Sequence, residues 1–205
     1  MRYTGFMKAM ARLNNPLVTA TVAVFLLLSP MGGAAQTVDV PGSVLQGENA
    51  RLDALFAELQ KPDLADPDRV TREIWILWSK SGSPAMDLLL GRGQRALAAG
   101  ALEQAIAQFS AVIDHDPAFA EAWNARATAY YQTGDLGPSV ADIAHVLQLN
   151  PRHFGALAGL AMIFEQLGRP EKALEVYRAA LAVNPHMPDV LDAVKRLESA
   201  GGQDL

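Results

Sequence analysis

"YQTGDLGPSVADIAHVLQLNP", residues 131–151, reads as the end of one helix, a turn at Gly134, a second amphipathic helix and a stop at Pro151. Upstream, "LAAGALEQAIAQFSAVIDHDP" (97–117) has the same plan, and so does "EQLGRPEKALEVYRAALAVNP" (165–185) downstream. The three segments align without gaps. Gly100, Gly134 and Gly168 fall 34 residues apart, and so do Pro117, Pro151 and Pro185. Glycine tolerates the left-handed conformation that closes a helix, so each first helix ends there. Proline cannot continue a helix and pushes its predecessor out of the helical region, so each second helix ends there.

Working outward, the in-register residues are specific. The first unit carries Gly93, Ala105, Phe109 and Pro117, and the second Trp123, Ala127, Tyr130 and Pro151. The third carries Leu157, Leu160, Ala161, Phe164, Ala173, Tyr177, Ala180 and Pro185. On these residues and the 34-residue helix–turn–helix period, the chain resembles the tetratricopeptide repeat (TPR) family over residues 86–187. The repeats are 86–119, 120–153 and 154–187. The resemblance implies an all-α, right-handed solenoid of antiparallel helix pairs. No such pair buries its apolar face alone, and stacking on neighbours does so.

Both flanks extend the helical pattern. Residues 188–200 place Val190, Leu191, Val194 and Leu197 on one face and Asp192, Lys195, Arg196 and Glu198 on the other, as expected of a capping helix, with 201–205 as a tail. Upstream, Leu52, Leu55, Phe56 and Leu59, then Val70, Ile74, Leu77 and Trp78, recur at helical spacing. Residues 48–85 are therefore expected to form a degenerate helical pair, a zeroth repeat with a shortened first helix. Residues 36–47 are expected to be a flexible linker. Trp75, Trp78 and Trp123 read as packing residues.

In TPR proteins the first helices of successive repeats line a concave groove that commonly takes an extended peptide or a partner helix. The matching positions here are Asp87, Leu90, Gln94 and Leu97, then Glu121, Asn124, Thr128 and Tyr131, then Gly155, Ala158, Met162 and Glu165. This set lacks the Lys and Arg residues of the carboxylate-clamp TPRs that grip chaperone C-termini, and Asn124 is its one clamp-like member. Gly155 and Gly159, spaced i, i+4 on a helix, suggest close approach of another backbone or side chain, either from a neighbouring helix or from a ligand.

One departure from the family pattern stands out. Arg126 occupies the seventh position of its repeat, where a large apolar residue is usual, and Arg92 stands in the same position of the first repeat. Leu160 restores the usual residue in the third. A buried guanidinium requires a hydrogen-bonded carboxylate, because an uncompensated buried charge costs several kcal/mol. Asp142 is the expected partner of Arg126. The alternative is an anion-binding Arg92/Arg126 pair that reaches a groove ligand.

Composition limits the function classes. The chain has 205 residues, no cysteine, and a net charge of −5. Residues 1–35 contain Arg2, Lys8 and Arg12 but no acid, so the remainder carries 14 basic against 22 acidic residues and makes a poor partner for nucleic acid. Those 35 residues resemble a cleavable export signal: a basic start, the apolar run "LVTATVAVFLLL", and "SPMGGAA" before Gln36. This mostly apolar stretch of twelve residues is short against the roughly 20 that span a bilayer. There is no G-x-S-x-G, Walker loop or H-E-x-x-H, and the four histidines share no metal-ligand spacing.

The expectation is thus a non-catalytic protein-interaction scaffold of the bacterial cell envelope, periplasmic, with no catalytic residues, metal or cofactor, binding a peptide or helix of a protein partner. The alternatives are a small-molecule or anion binder (or an enzyme) using the Arg92/Arg126 layer, and a membrane-tethered adaptor with an uncleaved N-terminus.

Overall fold

Three glycines decide how the chain turns. In the computed structural model, which describes residues 42–201, Gly100, Gly134 and Gly168 have φ of 74°, 86° and 65°. At each, two backbone bonds close the preceding helix. The Gly134 N–H donates to the Tyr131 carbonyl at 3.1 Å and the Asp135 N–H to the Tyr130 carbonyl at 2.9 Å, and Gly100/Ala101 and Gly168/Arg169 repeat the arrangement. This is the two-bond Schellman closure, and only a residue without Cβ enters it without strain.

The opposite end of each pair is equally regular. Asp116, Asn150 and Asn184 precede the three prolines, with extended backbone, and each side-chain oxygen accepts from the N–H two residues on, at 3.0–3.1 Å. The helices between these turns are α3 (Pro84–Ala98), α4 (Leu102–His115), α5 (Ala120–Thr133), α6 (Leu136–Leu149), α7 (Phe154–Gln166) and α8 (Pro170–Val183). They pack as the pairs α3·α4, α5·α6 and α7·α8, with α4 on α5 and α6 on α7. The last helix, α9 (Pro188–Gly201), covers α8 through Val190, Ala193 and Leu197.

Size is matched across the pair interfaces. A Cβ placed on Gly93 would lie well inside contact distance of the Phe109 ring. The same register in the next two repeats holds Ala127 and Ala161, facing Ile143 and Tyr177, and all four are buried. Phe109 anchors a core shared by the first two repeats, with Leu90, Val112, Ile113, Phe119 and Ala122.

The N-terminal pair departs from its expected shape and place. Helix α1 (Gly42–Leu59) has 18 residues and α2 (Pro67–Trp78) has 12, so the second helix is the shorter. Residues 42–47, expected as linker, belong to α1, because no proline follows Pro41 there and a glycine within a helix costs only about 1 kcal/mol relative to alanine, which weakens the helix without breaking it. Residues 36–41, the export-signal segment 1–35 and the tail residues 202–205 lie outside the described residues. The pair also does not stack ahead of α3. Leu55, Phe56, Leu59, Val70 and Ile74 bury against Phe154, with Val183 and Met187 packed around them, and no residue of α3 or α4 joins this cluster. Polar contacts fix the same docking: Gln60 Nε2 donates to the Val183 carbonyl at 2.9 Å and Asn184 Nδ2 to Thr71 Oγ1 at 3.3 Å. The aromatic face of α2 meets rings at the α6–α7 turn that the first repeat does not offer.

The Gly93–Phe109 contact carries a test. Alanine is the better helix former by about 1 kcal/mol, so Gly93→Ala would stabilise an open site. Here the methyl must displace a buried ring, and overpacking costs about 1–3 kcal/mol. Urea denaturation should show a lower midpoint for Gly93→Ala, with an unchanged slope.

Candidate functional site: a cleft between the first helices of repeats two and three

Helices α5 and α7 flank a cleft of about 230 Å³. Asn124, Thr128 and Tyr131 line it from α5, and Gly155, Ala158 and Met162 from α7. Ile143 and Ser139 of α6 close its floor, with Ala127, Ala156, Gly159 and Ile163. No charged side chain lines it. Met162 is 45% exposed, a large apolar side chain open to solvent at the rim. The Ser139 hydroxyl donates to the Ala127 carbonyl at 2.8 Å and Thr128 Oγ1 to the Asn124 carbonyl at 3.0 Å. Both hydroxyls are engaged by backbone carbonyls, so the surface offered is mainly apolar, with the Asn124 amide and the Tyr131 hydroxyl as its polar groups.

Six positions taken from the family groove lie elsewhere, among them Asp87, whose carboxylate accepts from the Ser81 N–H at 2.8 Å and the Ser81 hydroxyl at 2.6 Å. Leu90 is 2% exposed in the core of repeats one and two, and Leu97 packs against that core. Gln94 is exposed but lies outside the cleft. Glu121 is buried: its carboxylate meets His153 Nε2 at 3.2 Å, and the Asn124 amide donates to it at 3.3 and 3.4 Å. Glu165 pairs with Arg196 of the capping helix at 2.7 Å and accepts from the Tyr177 hydroxyl at 3.4 Å. Burial first, and then the Glu165 charge, push the Tyr177 hydroxyl pKa up to about 12. Each of these two glutamates found a partner on an element that sequence spacing alone does not bring near.

His153 is the hinge of this arrangement. Its Nδ1 accepts from the Ala156 N–H at 3.0 Å, capping α7, which leaves the proton on Nε2 facing Glu121. Trp78 stacks on the imidazole at 4.3 Å between centroids, and Trp75 meets it edge-on at 5.3 Å. Trp75 also explains Gly155, where an added Cβ would sit 2.7 Å from the indole. The neighbouring helix α2 makes the close approach there. At Gly159 the nearest atom is Ile143 Cδ1 at 3.8 Å, so that glycine opens the cleft floor.

Arg126 is fully engaged inside the array. Its Nε and Nη2 donate to the two Asp142 oxygens at 2.8 and 2.9 Å, and Nη1 donates to Ser110 Oγ of the preceding repeat at 2.9 Å. The guanidinium also lies over Trp123, 5.0 Å from the ring centroid. The Asp142 hydrogen bonds raise the Arg126 pKa further above its ordinary value. Nothing of it faces the cleft. Among the described residues no group of three or more His, Asp or Glu side chains is placed to hold a metal, and no helix is long and apolar enough to cross a membrane.

Comparison with known proteins now bears on this geometry. A "TPR repeat" family model matches residues 93–134, and "Tetratricopeptide repeat" models match 120–153 and 154–197. A TPR repeat-containing protein of Rhizobium etli is 33% identical over 173 residues, 80% of this chain and 82% of that protein. This chain belongs to the tetratricopeptide repeat family. Human DnaJ homolog subfamily C member 3 is 29% identical over 105 residues, and the match spans 21% of its length. Among solved structures, the first TPR of Spaghetti (RPAP3), bound to the HSP90 peptide SRMEEVD, superposes with a TM-score of 0.54 at 20% identity, covering 57% of this chain and 93% of that one. The TPR2B domain of yeast Sti1, described as a pHsp70 complex, superposes at 0.53 and 17% identity, covering 58% and 99%. These two show the fold. TPR units accordingly account for α3–α8, and the matched region ends on the capping helix.

The TPR register supplies an internal control for the ion pair, since Leu160 and Val176 of repeat three stand where Arg126 and Asp142 stand in repeat two. Asp142→Ala should cost about 3 kcal/mol, the low end for a broken buried pair, because the guanidinium side chain keeps 17% exposure. The double substitution Arg126→Leu/Asp142→Val should recover most of that loss in thermal denaturation.

Proposed function

We propose that this TPR protein is a non-catalytic interaction module that takes a peptide segment of a protein partner in the α5–α7 cleft, with an apolar side chain of the peptide as the anchor. The observation that carries the reading is the uncharged, apolar lining with an exposed methionine at its rim. Methionine adapts to irregular partners and is favoured at such surfaces. The TPR structure of RPAP3, whose description names a bound HSP90 peptide, and that of Sti1, described as a pHsp70 complex, support a peptide of a protein partner as the class of ligand. The chemistry of the ligand differs from an acidic chain end, since no cation is present in the cleft to hold a terminal carboxylate.

A displayed random-peptide library panned on the full chain should enrich segments with a central apolar residue, and amidating their C-termini should leave affinity unchanged. Met162→Asp should weaken those peptides at least tenfold without lowering the thermal midpoint, because Met162 is exposed. Unchanged affinity in that variant would remove the cleft as the binding surface.

We infer further that the partner belongs to the bacterial cell envelope and that the protein works in the periplasm. The support is the basic, apolar and small-residue succession of residues 1–35. Intact-mass measurement of the protein recovered from periplasmic extract should give a chain beginning at Gln36. A chain retaining residues 1–35 in the membrane fraction would favour the tethered adaptor.

A further inference from the structure

The polar layer that Arg126 closes in repeat two is left open in repeat one. Position for position, Arg92 stands for Arg126 and Gln108 stands for Asp142, each pair 34 residues apart. The carboxylate that neutralises the guanidinium in repeat two is therefore replaced by an uncharged amide in repeat one. The third contact is missing as well. Ser110 of the preceding repeat binds Arg126, whereas among the described residues no repeat is stacked ahead of α3, because α1 and α2 dock at the turns around α7 and α9.

Three observations point to what fills this edge. Arg92, Arg95, Gln104 and Gln108 surround an open polar pocket of about 470 Å³, separate from the α5–α7 cleft. Among the described residues neither Arg92 nor Arg95 has an ion-pair partner, and both are exposed. The side-chain oxygen of Gln108 is buried and without any hydrogen-bond partner. Gln108 lines the pocket with the two arginines, and its amide nitrogen carries the N–H donors that a carboxylate needs.

We propose that this edge of the first repeat is a carboxylate-binding site, in which Arg92 grips the carboxylate through two parallel N–H donors, Arg95 adds a second charge and Gln108 donates from below. The chemistry is that of the Arg126–Asp142 pair, with the ligand supplying the carboxylate that Asp142 supplies internally. A guanidinium fork matches a carboxylate in this way, and the charge-assisted bonds are about twice as strong as neutral ones. The site is independent of the cleft and of any peptide held there.

Two probes distinguish the source of the carboxylate: succinate as a free dianion, and an N-acetylated, C-amidated Ala-Glu-Glu-Ala peptide as a side-chain donor. Each is titrated into the full chain by calorimetry, with the Gln108 side-chain amide followed by NMR. Binding at low ionic strength is expected, weakening as salt screens the exposed guanidiniums. Arg92→Leu adopts the residue that repeat three carries in that position, and it should weaken binding at least tenfold with helicity unchanged. Gln108→Glu supplies the missing carboxylate from within; it should abolish binding and raise the thermal midpoint by pairing with Arg92. Binding of the peptide alone assigns the site to an acidic side chain of a partner, and equal binding of both assigns it to a small dianion. No binding of either probe at about 10 mM, weaker than any affinity of functional use, overturns the proposal. So does an affinity within twofold of the native value in either variant.

Discussion

The array depends on one backbone event made three times: a helix closed by a left-handed glycine, so that the chain reverses after a fixed number of residues. Because Gly100, Gly134 and Gly168 are 34 residues apart and share the same pair of closing hydrogen bonds, every helix pair is cut to nearly the same length. The matching turn at the other end, an Asp or Asn before proline, starts the next pair at the same angle. Equal pairs stack, and stacking is what buries faces that no single pair could bury. The cleft is a consequence, since it lies where the first helices of two such pairs run side by side.

Charge differs from repeat to repeat at one pair of register positions, and that layer shows how a repeat protein can vary chemistry without varying fold. Leucine and valine in repeat three, an arginine–aspartate pair in repeat two, and an arginine–glutamine combination in repeat one occupy the same two positions. The first is apolar, the second is internally neutral, and the third is neither. Replacing a buried ion pair by apolar residues of similar shape costs little, whereas removing one partner leaves a charge to be compensated. Repeat one tolerates that imbalance because its edge faces solvent and its guanidinium stays hydrated.

The N-terminal pair packs on the turns at the two ends of repeat three. Its tryptophans pack on His153 and Phe154, and the α8–α9 turn is reached by Gln60 and Lys61 of its loop and by Thr71 of α2. That docking frees the first repeat's edge and sets one wall of the neighbourhood of the cleft, where Trp75 presses on Gly155. The aromatic cluster is thus structural, yet its placement shapes both surfaces on which partners are proposed to act.

The sequence by itself determined the repeats, their boundaries and the six cleft residues Asn124, Thr128, Tyr131, Gly155, Ala158 and Met162 as members of two neighbouring helix faces, because glycine turns, proline stops and helical period are local properties of the chain. It also held the 34-residue identity of Arg92 with Arg126, and the choice of Asp142 as partner. Only the tertiary structure decided which acids remained available. Glu121 went to His153, Glu165 to Arg196 and Tyr177, and Leu90 to the core, through contacts between residues 12 to 32 apart that no local signal encodes. It also decided where α1 and α2 dock. An amphipathic helix specifies that it must bury a face, and the surface that receives it is chosen by shape and by which rings lie within reach. The floor residue Ile143 could have been found from sequence only by asking which branched side chains of the second helices face the first, whereas Gly159 was legible in its i, i+4 spacing with Gly155.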